Sequence, residues 1–274
     1  MFYDYHMHSN FSNDSKADME DMVKRSIDLG LKEICFTDHV DYDLDSDDSF
    51  GIDYNKYFDK IQSLQNKYKD NISIKKGIEI GLQKQIIDKC NNDISKYPFD
   101  FVICSQHAIN RSELYFGNFF LDKTQHEAYE YYYKELYDII KVYKNYSVLG
   151  HLDLVKRYGN YGKVLDDKPF DDIIEAILKQ AIYDGKGIEV NTSCYRYNLP
   201  DLTPAYNAAA ATATPIIVPM IPFLTPLFFL PAISTVSAVG APAYWYCCAI
   251  YGRAFVAVLI PPWKPTFALI PETI

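Results

Sequence analysis

The alternation of short apolar runs with longer amphipathic stretches constrains the fold more than any other feature of this chain. Six runs rich in Ile, Val, Phe and Tyr are bounded by Gly, Asp or Asn, a pattern that predicts β-strands. They lie at Phe2–Tyr5, Glu33–Phe36, Ile72–Ile80, Phe101–Cys104, Ser147–Leu149 and Gly187–Val190. Strands and helices that alternate this often predict an α/β fold with a parallel sheet, either open or closed into a barrel.

Four amphipathic stretches supply the predicted helices. Residues 17–30 read ADMEDMVKRSIDLG and place Met19, Met22 and Val23 roughly on one face, with Gly30 as a helix-stop signal. The other three stretches lie at 54–69, 124–144 and 170–185. Each predicted helix therefore has an apolar side that can pack against the sheet.

The net charge of −9 argues against general binding to nucleic acids or anionic membranes. A phosphorylated substrate stays compatible with it, because bound metal ions reverse the local sign of the potential. The six cysteines form no C-x-x-C pair and mostly lie in apolar runs, which is typical of buried thiols in a reducing compartment. The N-terminus shows no basic region followed by an apolar stretch, so we expect a cytoplasmic protein.

The residues from 205 onward differ in composition from the rest of the chain. Only Arg253, Lys264 and Glu272 are charged there, and ten of the fourteen prolines lie in this tail. A membrane-spanning helix needs about 20 apolar residues. The stretch PIIVPMIPFLTPLFFLP nevertheless carries five prolines, and each interior proline removes a helix hydrogen bond. We therefore expect no membrane anchor.

The histidines are concentrated where predicted strands end. Five of the six occupy such positions: His6 and His8 at the first strand, His39 at the second, His107 at the fourth and His151 at the fifth. Glu79 ends the third strand at the same level, and Asp14 lies in the loop after the first. In a barrel the carboxyl ends of the strands gather the functional groups, so these seven side chains are predicted to converge. The sixth histidine, His126, lies in a helical stretch and is expected on a helix surface.

This residue set predicts a metal centre. Imidazoles and carboxylates together suit Zn, Fe or Mn. Residues i and i+2 of an extended segment point the same way, so His6 and His8 can bind one ion. A carboxylate such as Glu79 can bridge two ions, and sites with several ions activate water and clamp a phosphoryl group. The alternative for Glu79 is a buried, hydrogen-bonded carboxylate without a metal.

The sequence leaves the roles of four further polar residues open. They are Asp38, Asp153, Glu189 and Asn191. The two aspartates either support a neighbouring metal ligand or have a purely structural role. Glu189 and Asn191 are either site residues or simply polar residues at a strand end.

Two arginines lie just beyond predicted strand ends. Arg157 follows His151 by six residues, and Arg196 follows the strand that ends at Val190. Arginine favours bidentate contact with phosphate, so both are candidates for binding a substrate phosphate. The alternative is an ordinary arginine in a salt bridge.

Six segments together resemble the polymerase-and-histidinol-phosphatase (PHP) superfamily. They read DYHMHSNFSNDS, FTDHVDY, GIEIG, ICSQHAI, GHLDLVKRYG and IEVNTSCYRYNLPDLTP. They cover about residues 1–204 and, within the superfamily, are most similar to the monofunctional histidinol-phosphatases. The resemblance implies one domain over residues 1–274 with a distorted (β/α)7 barrel, the TIM-like barrel of the PHP type.

The resemblance also implies a trinuclear divalent metal site of Zn, Mn or Fe. The implied ligand sets are His6, His8 and Glu79 for one ion, Glu79, His107 and His151 for a second, and Asp14 with His39 for the third. Arg157 and Arg196 would bind the substrate phosphate and, with Glu79, form the catalytic set. The implied reaction is hydrolysis of L-histidinol phosphate to L-histidinol and phosphate in histidine biosynthesis, by water that the metal ions activate. The expected partner is this small phosphate alone, and the expected state is a monomer or homodimer.

The tail departs from the family pattern at the seventh strand. The family places Asp-x-His there, whereas the aligned stretch IIVPMIPFLTP puts Pro222 and Leu224 at those positions, where neither can bind a metal. We hypothesise that the tail side chains as written are not the natural ones and that residues 205–274 complete the barrel. The alternatives are a PHP phosphoesterase acting on another small phosphate ester and a catalytically disabled PHP-like binding protein.

Overall fold

A computed structural model describes residues 2–45, 51–189 and 191, and two short strands in the tail. In chain order the strands are β1 (Phe2–Met7), β2 (Leu31–Phe36), β3 (His39–Asp41), β4 (Ser73–Gly81), β5 (Phe101–Ser105), β6 (Ala108–Ile109), β7 (Ser112–Glu113), β8 (Val148–Leu149), β9 (Gly187–Ile188), β10 (Phe255–Val256) and β11 (Ala268–Leu269). Seven of them form one sheet in the order β1-β2-β4-β5-β8-β9, with β3 also paired to β4. Every pairing in this sheet is parallel.

In the described part of the chain, five α-helices connect the strands of the large sheet. They are α1 (Met19–Asp28), α2 (Tyr54–Tyr68), α3 (Ile87–Lys96), α4 (Gln125–Val142) and α5 (Asp171–Tyr183). Side-chain caps fix where several of them begin, because a cap satisfies backbone N–H groups that have no partner in the first turn. Asp18 accepts from the first turn of α1, and Thr124 forms a capping box with Glu127 at the start of α4.

The two faces of the sheet are packed differently. On β4, Ile78 and Ile80 belong to the large apolar core that includes the buried sides of the helices. Glu79 lies between them and, because side chains alternate along a strand, faces the other side. Ile103 pairs with Glu79 across β4 and β5 and belongs to a second, smaller apolar cluster with Tyr5 and Cys35. Within the described residues, the face of the sheet opposite the helices therefore carries the polar site next to this smaller apolar cluster.

The structure confirms the predicted parallel α/β architecture and adds elements that the sequence pattern did not reveal. Helix α3 was missed because its ten residues, IDKCNNDISK, show only a short apolar stripe. Strand β3 was missed because three residues are too few to show alternation. The short β6–β7 hairpin was also missed.

The tail predictions fall mostly outside the described residues, as do Val190 and Arg196. Strands β10 and β11 form an antiparallel pair, and β11 lies beside β1 at the edge of the large sheet. Within the described part of the chain, every helix is too short or too polar to cross a bilayer.

Candidate metal centre

Glu79 lies at the centre of the site, and each of its oxygens faces two histidine rings. Its Oε2 is 3.1 Å from His6 Nε2 and 2.9 Å from His8 Nε2. Its Oε1 is 2.9 Å from His151 Nε2 and 3.4 Å from His107 Nε2. The four rings therefore fall into two pairs, one on each oxygen of a carboxylate that is almost fully buried.

Asp14 forms a second focus nearer the surface. Its Oδ2 is 2.9 Å from His8 Nδ1, and its Oδ1 is 3.3 Å from His39 Nε2. His8 thus contacts both Glu79 and Asp14, one through each ring nitrogen. The structure brings together all seven residues that the sequence predicts as metal ligands. Their roles as ligands stay a prediction.

Two buried side chains, those of Ser105 and Glu189, form hydrogen bonds with Glu79 and with two of the histidines. The Ser105 hydroxyl at the end of β5 donates to Glu79 Oε1 at 2.5 Å. Glu189 follows β9, and its two oxygens accept from His6 Nδ1 at 2.5 Å and from the backbone N–H of His151 at 2.5 Å. The Asn191 side chain donates to Glu189 in turn. Glu189 and Asn191 therefore lie in the site, the first of the two alternatives that the sequence left open.

The carboxylates change the protonation of most of the histidines. Burial alone lowers the pKa of His6, but the charges of Glu79 and Glu189 outweigh it and raise the pKa to about 10. The same opposition raises the pKa of His8 to about 9, and those of His39 and His107 to about 10. His151 is the exception, because burial prevails and lowers its pKa. In reverse, the histidines hold the pKa of Glu79 well below its usual range although burial opposes this.

The donor set fits divalent metal ions. Three of the four rings that face Glu79 through Nε2 also face another carboxylate through Nδ1, yet a neutral imidazole carries only one N–H to donate. The contacts are favourable only if the rings carry extra protons or if cations lie among the nitrogen and oxygen atoms. Among the residues that the structure describes, three groups of donors have ligand atoms within 4.8 Å of one another: His6, Glu79 and His151; His8, Asp14 and His39; and His39, Asp41 and His107. Mixed nitrogen and oxygen donors at this spacing suit Zn and similar ions.

The predicted phosphate-binding residues are only partly described. Arg157 ends a single 3-10 turn, Leu154–Arg157, that follows His151. Its charge acts on His151 and helps to lower the pKa of that ring, so Arg157 lies on the side of the site where β8 ends. Arg196 lies outside the described residues. His126 lies on α4, where its ring packs against Phe170 away from the site.

Sequence reasoning missed Asp41, a buried carboxylate in contact with two of the histidines. A signal for it exists, because His39-x-Asp41 repeats the spacing of His6-x-His8 and residues two apart share a side of an extended segment. Ser105 was also missed. A serine at a strand end carries no distinctive pattern, and its role depends on which strand lies next to it.

Comparison with known proteins assigns this geometry to a family. Residues 4–193 match the PHP domain. The chain belongs to the PHP family. It is 39% identical over 194 residues to the histidinol-phosphatase of Lactococcus lactis subsp. lactis, an alignment that covers 70% of this chain and 72% of the relative. It is 31% identical over 197 residues to a probable histidinol-phosphatase of Clostridium acetobutylicum, covering 70% and 73% of the two chains.

Solved structures of the PHP family agree with the fold. The crystal structure of the L. lactis histidinol phosphate phosphatase, complexed with zinc, L-histidinol and phosphate, superposes with a TM-score of 0.65 at 38% identity and covers 68% of this chain and 71% of that one. A putative histidinol phosphatase from Listeria monocytogenes gives a TM-score of 0.61 at 16% identity, covering 77% and 90%. The predicted fold, the distorted TIM-like barrel of the PHP type, is confirmed. The donor groups and the zinc-bound relative together identify a divalent metal site.

Proposed function

We propose that this protein is a metal-dependent phosphatase that hydrolyses L-histidinol phosphate to L-histidinol and phosphate in histidine biosynthesis. The observation that carries the proposal is the convergence of five histidines on Glu79 and Asp14 in a chain 39% identical to a histidinol-phosphatase. The chain spans about 72% of that relative, and the PHP-domain match over residues 4–193 contains every described donor. A phosphoric monoester hydrolase is the activity that this donor set supports best.

We propose that the site holds three ions. The two oxygens of Glu79 each face a separate pair of histidines. His6 and His8 would therefore hold one ion, His107 and His151 would hold a second, and Glu79 would contribute to both. Asp14 and His39 would hold the third. Zn is the first candidate because the solved relative contains it, and Mn and Fe suit the same donors.

When bound, the ions lower the pKa of water and polarise a phosphoryl oxygen. The chain's own groups orient the reactants. The Ser105 hydroxyl holds the buried carboxylate of Glu79, which contacts the four histidines around it. Arg157, and Arg196 by the family resemblance, would bind phosphate oxygens and stabilise the charge that develops on them during attack.

The deciding experiment measures phosphate release from L-histidinol phosphate by the purified protein. The assay is run as isolated, after chelation, and after adding back Zn or Mn, with metal content per chain determined in parallel. We expect turnover that chelation abolishes and metal restores. Turnover would also imply that the tail supplies its missing ligands despite Pro222 and Leu224.

The rival functions make different predictions in the same assay. A PHP phosphoesterase of different specificity would leave histidinol phosphate intact and hydrolyse another member of a panel of phosphate esters. A disabled binding protein would hydrolyse none of them and hold fewer than three ions. We further propose that residues 205–274 complete a single domain, that the protein is cytoplasmic, and that it is a monomer or homodimer. Mass-spectrometric peptide mapping of the tail tests its sequence, and light scattering tests the oligomeric state.

A further inference from the structure

The buried side chain of Asp41 lies between the rings of His39 and His107. Its Oδ2 is 2.6 Å from His39 Nδ1, and its Oδ1 is 2.9 Å from His107 Nδ1. An ionised carboxylate can only accept hydrogen bonds. Both Nδ1 atoms therefore donate, and each ring keeps its N–H on the side facing Asp41.

Strand register explains why the chain can place a carboxylate there. In the parallel pairing of β3 with β4, His39 lies opposite Glu79 and Asp41 lies opposite Gly81. Residues two apart share a face, so His39 and Asp41 lie on the side that carries Glu79. A Cβ at Gly81 would overlap Asp41 Oδ1 and come within 2.9 Å of His107 Nδ1. The missing side chain of Gly81 is the space that the Asp41 carboxylate occupies.

The opposite nitrogens of the two rings face different parts of the site. His39 Nε2 is 3.3 Å from Asp14 Oδ1, whereas His107 Nε2 is 3.4 Å from Glu79 Oε1. A neutral ring that is protonated at Nδ1 presents an unprotonated Nε2, the form that binds a metal. The Asp41 carboxylate thus contacts two rings, one of which faces Asp14 and the other Glu79.

We propose that Asp41 is a positioning residue that fixes the tautomers of both His39 and His107 and thereby couples the two parts of the metal site. The metal-binding role of the rings rests on the proposed function. Asp41 contacts the Nδ1 atom of each ring, whereas the Nε2 atoms of the two rings face Asp14 and Glu79, so Asp41 would act on the ions through the rings.

The first test reads the tautomers directly. Two-bond proton–nitrogen correlation spectra of the 15N-labelled full chain, loaded with Zn²⁺, distinguish a protonated from a metal-bound ring nitrogen. We expect His39 and His107 each to carry a proton on Nδ1. A metal-bound or unprotonated Nδ1 in either ring overturns the proposal.

The second test removes the double acceptor. Asp41→Asn retains one acceptor oxygen, so its NH2 group must face the second Nδ1–H. We expect a loss of about 10- to 100-fold in Zn²⁺ affinity, measured by competition with a chromophoric chelator, and a fall in kcat larger than any change in KM. The matched control is Asp43→Asn, two residues along, whose carboxylate contacts Gln85 and Arg111. An Asp41→Asn protein with unchanged Zn²⁺ affinity contradicts the proposal.

The two tests separate this inference from the proposed function. Ring tautomers and Zn²⁺ affinity require no substrate. A protein with the expected tautomers that leaves histidinol phosphate intact would overturn the proposed function and support the role of Asp41. If Asp41→Asn fails to fold, the spectra of the unsubstituted protein still decide.

Discussion

The two halves of the metal site differ in how firmly the fold holds them. The inner group is His6, Glu79 and His151, whose side chains are 5%, 1% and 7% exposed. The rim group is His8, Asp14 and His39, at 19%, 49% and 13%. The inner donors lie in strands or within two residues of one, so sheet register places them. Asp14 lies in a loop and is held by the two rings that it contacts. We infer that the inner group binds metal more tightly and that the rim group exchanges it more readily.

The largest effect is expected from Glu79→Gln. This change should remove the tighter metal binding that distinguishes the inner group from the rim group. The change removes the one charge shared by four histidines, so metal at both predicted inner positions should be lost. Turnover should fall by more than about 100-fold, the upper end of the loss caused by changing a residue that only supports a ligand. Metal content and phosphate release measure the two effects.

The matched control for this variant is Glu135→Gln. Glu135 is also a buried glutamate, but it lies on α4 and pairs with Lys84. Its substitution should leave metal content and kcat unchanged. Normal metal content in the Glu79→Gln protein would show that Glu79 does not bridge ions.

Acidification should weaken the three proposed ions to different degrees. In the metal-free protein the pKa values of His6 and His8 are about 10 and 9, so at pH 7 an ion held by these two rings must displace two protons. An ion at His107 and His151 displaces one proton, because the pKa of His107 is about 10 whereas that of His151 is lowered, and an ion at His39 also displaces one. Protons compete more strongly as pH falls, so metal affinity should drop by about 100-fold per pH unit for the ion at His6 and His8 and about tenfold for the other two.

Zinc retained against a chelator between pH 8 and pH 6 tests this difference. The His8→Asn variant, which lacks one ring of the two-proton ion, should show the shallower dependence of the remaining ions. Equal slopes for the two proteins would contradict the assignment of two protons to the ion at His6 and His8.

The sequence predicts the ligand candidates at the strand ends better than the residues that hydrogen-bond to them. His6, Glu79, His107 and His151 were found because each stands at the end of an apolar run, and the ends of parallel strands meet at one edge. The function of Asp41 depends on the pairing of β3 with β4 opposite Gly81, which local pattern cannot reveal. The contact from Ser105 likewise depends on β5 lying next to β4. Arg196 stays a prediction.

A smaller effect is expected from Arg157→Lys, which should leave both metal groups intact. Lysine keeps the positive charge but loses the planar fork that grips two phosphate oxygens. Hydrogen bonds to charged groups contribute about 1.5–3 kcal/mol, so kcat/KM should fall by about 10- to 100-fold. Arg111→Lys is the control, because Arg111 pairs with Asp43 and Asp45. Loss of metal from the Arg157→Lys protein would show a structural role instead.

The smallest effect is expected from a change at Ser12. This residue lies in the loop that carries Asp14, and its side chain connects that loop to Asp38 and His39. Its hydroxyl donates to buried Asp38 at 3.0 Å and accepts from the backbone N–H of His39 at 2.9 Å, while Asp38 also accepts from Ser9. This network supports the alternative in which Asp38 holds a neighbouring ligand in place. Ser12→Ala removes the hydrogen bond to Asp38 and the one from the His39 N–H. We expect this change to weaken the binding of the rim ion by about 1 kcal/mol.

That cost corresponds to about a fivefold lower affinity for the rim ion alone, because no inner donor depends on Ser12. Chelator competition should therefore show one weakened ion, with the affinity of the inner group unchanged. Ser26→Ala is the matched control, since this buried serine donates to the Met22 carbonyl within α1. If Ser12→Ala weakened the inner ions equally, the site would behave as one unit. The contrast in burial between the two groups would then have no counterpart in how they bind metal.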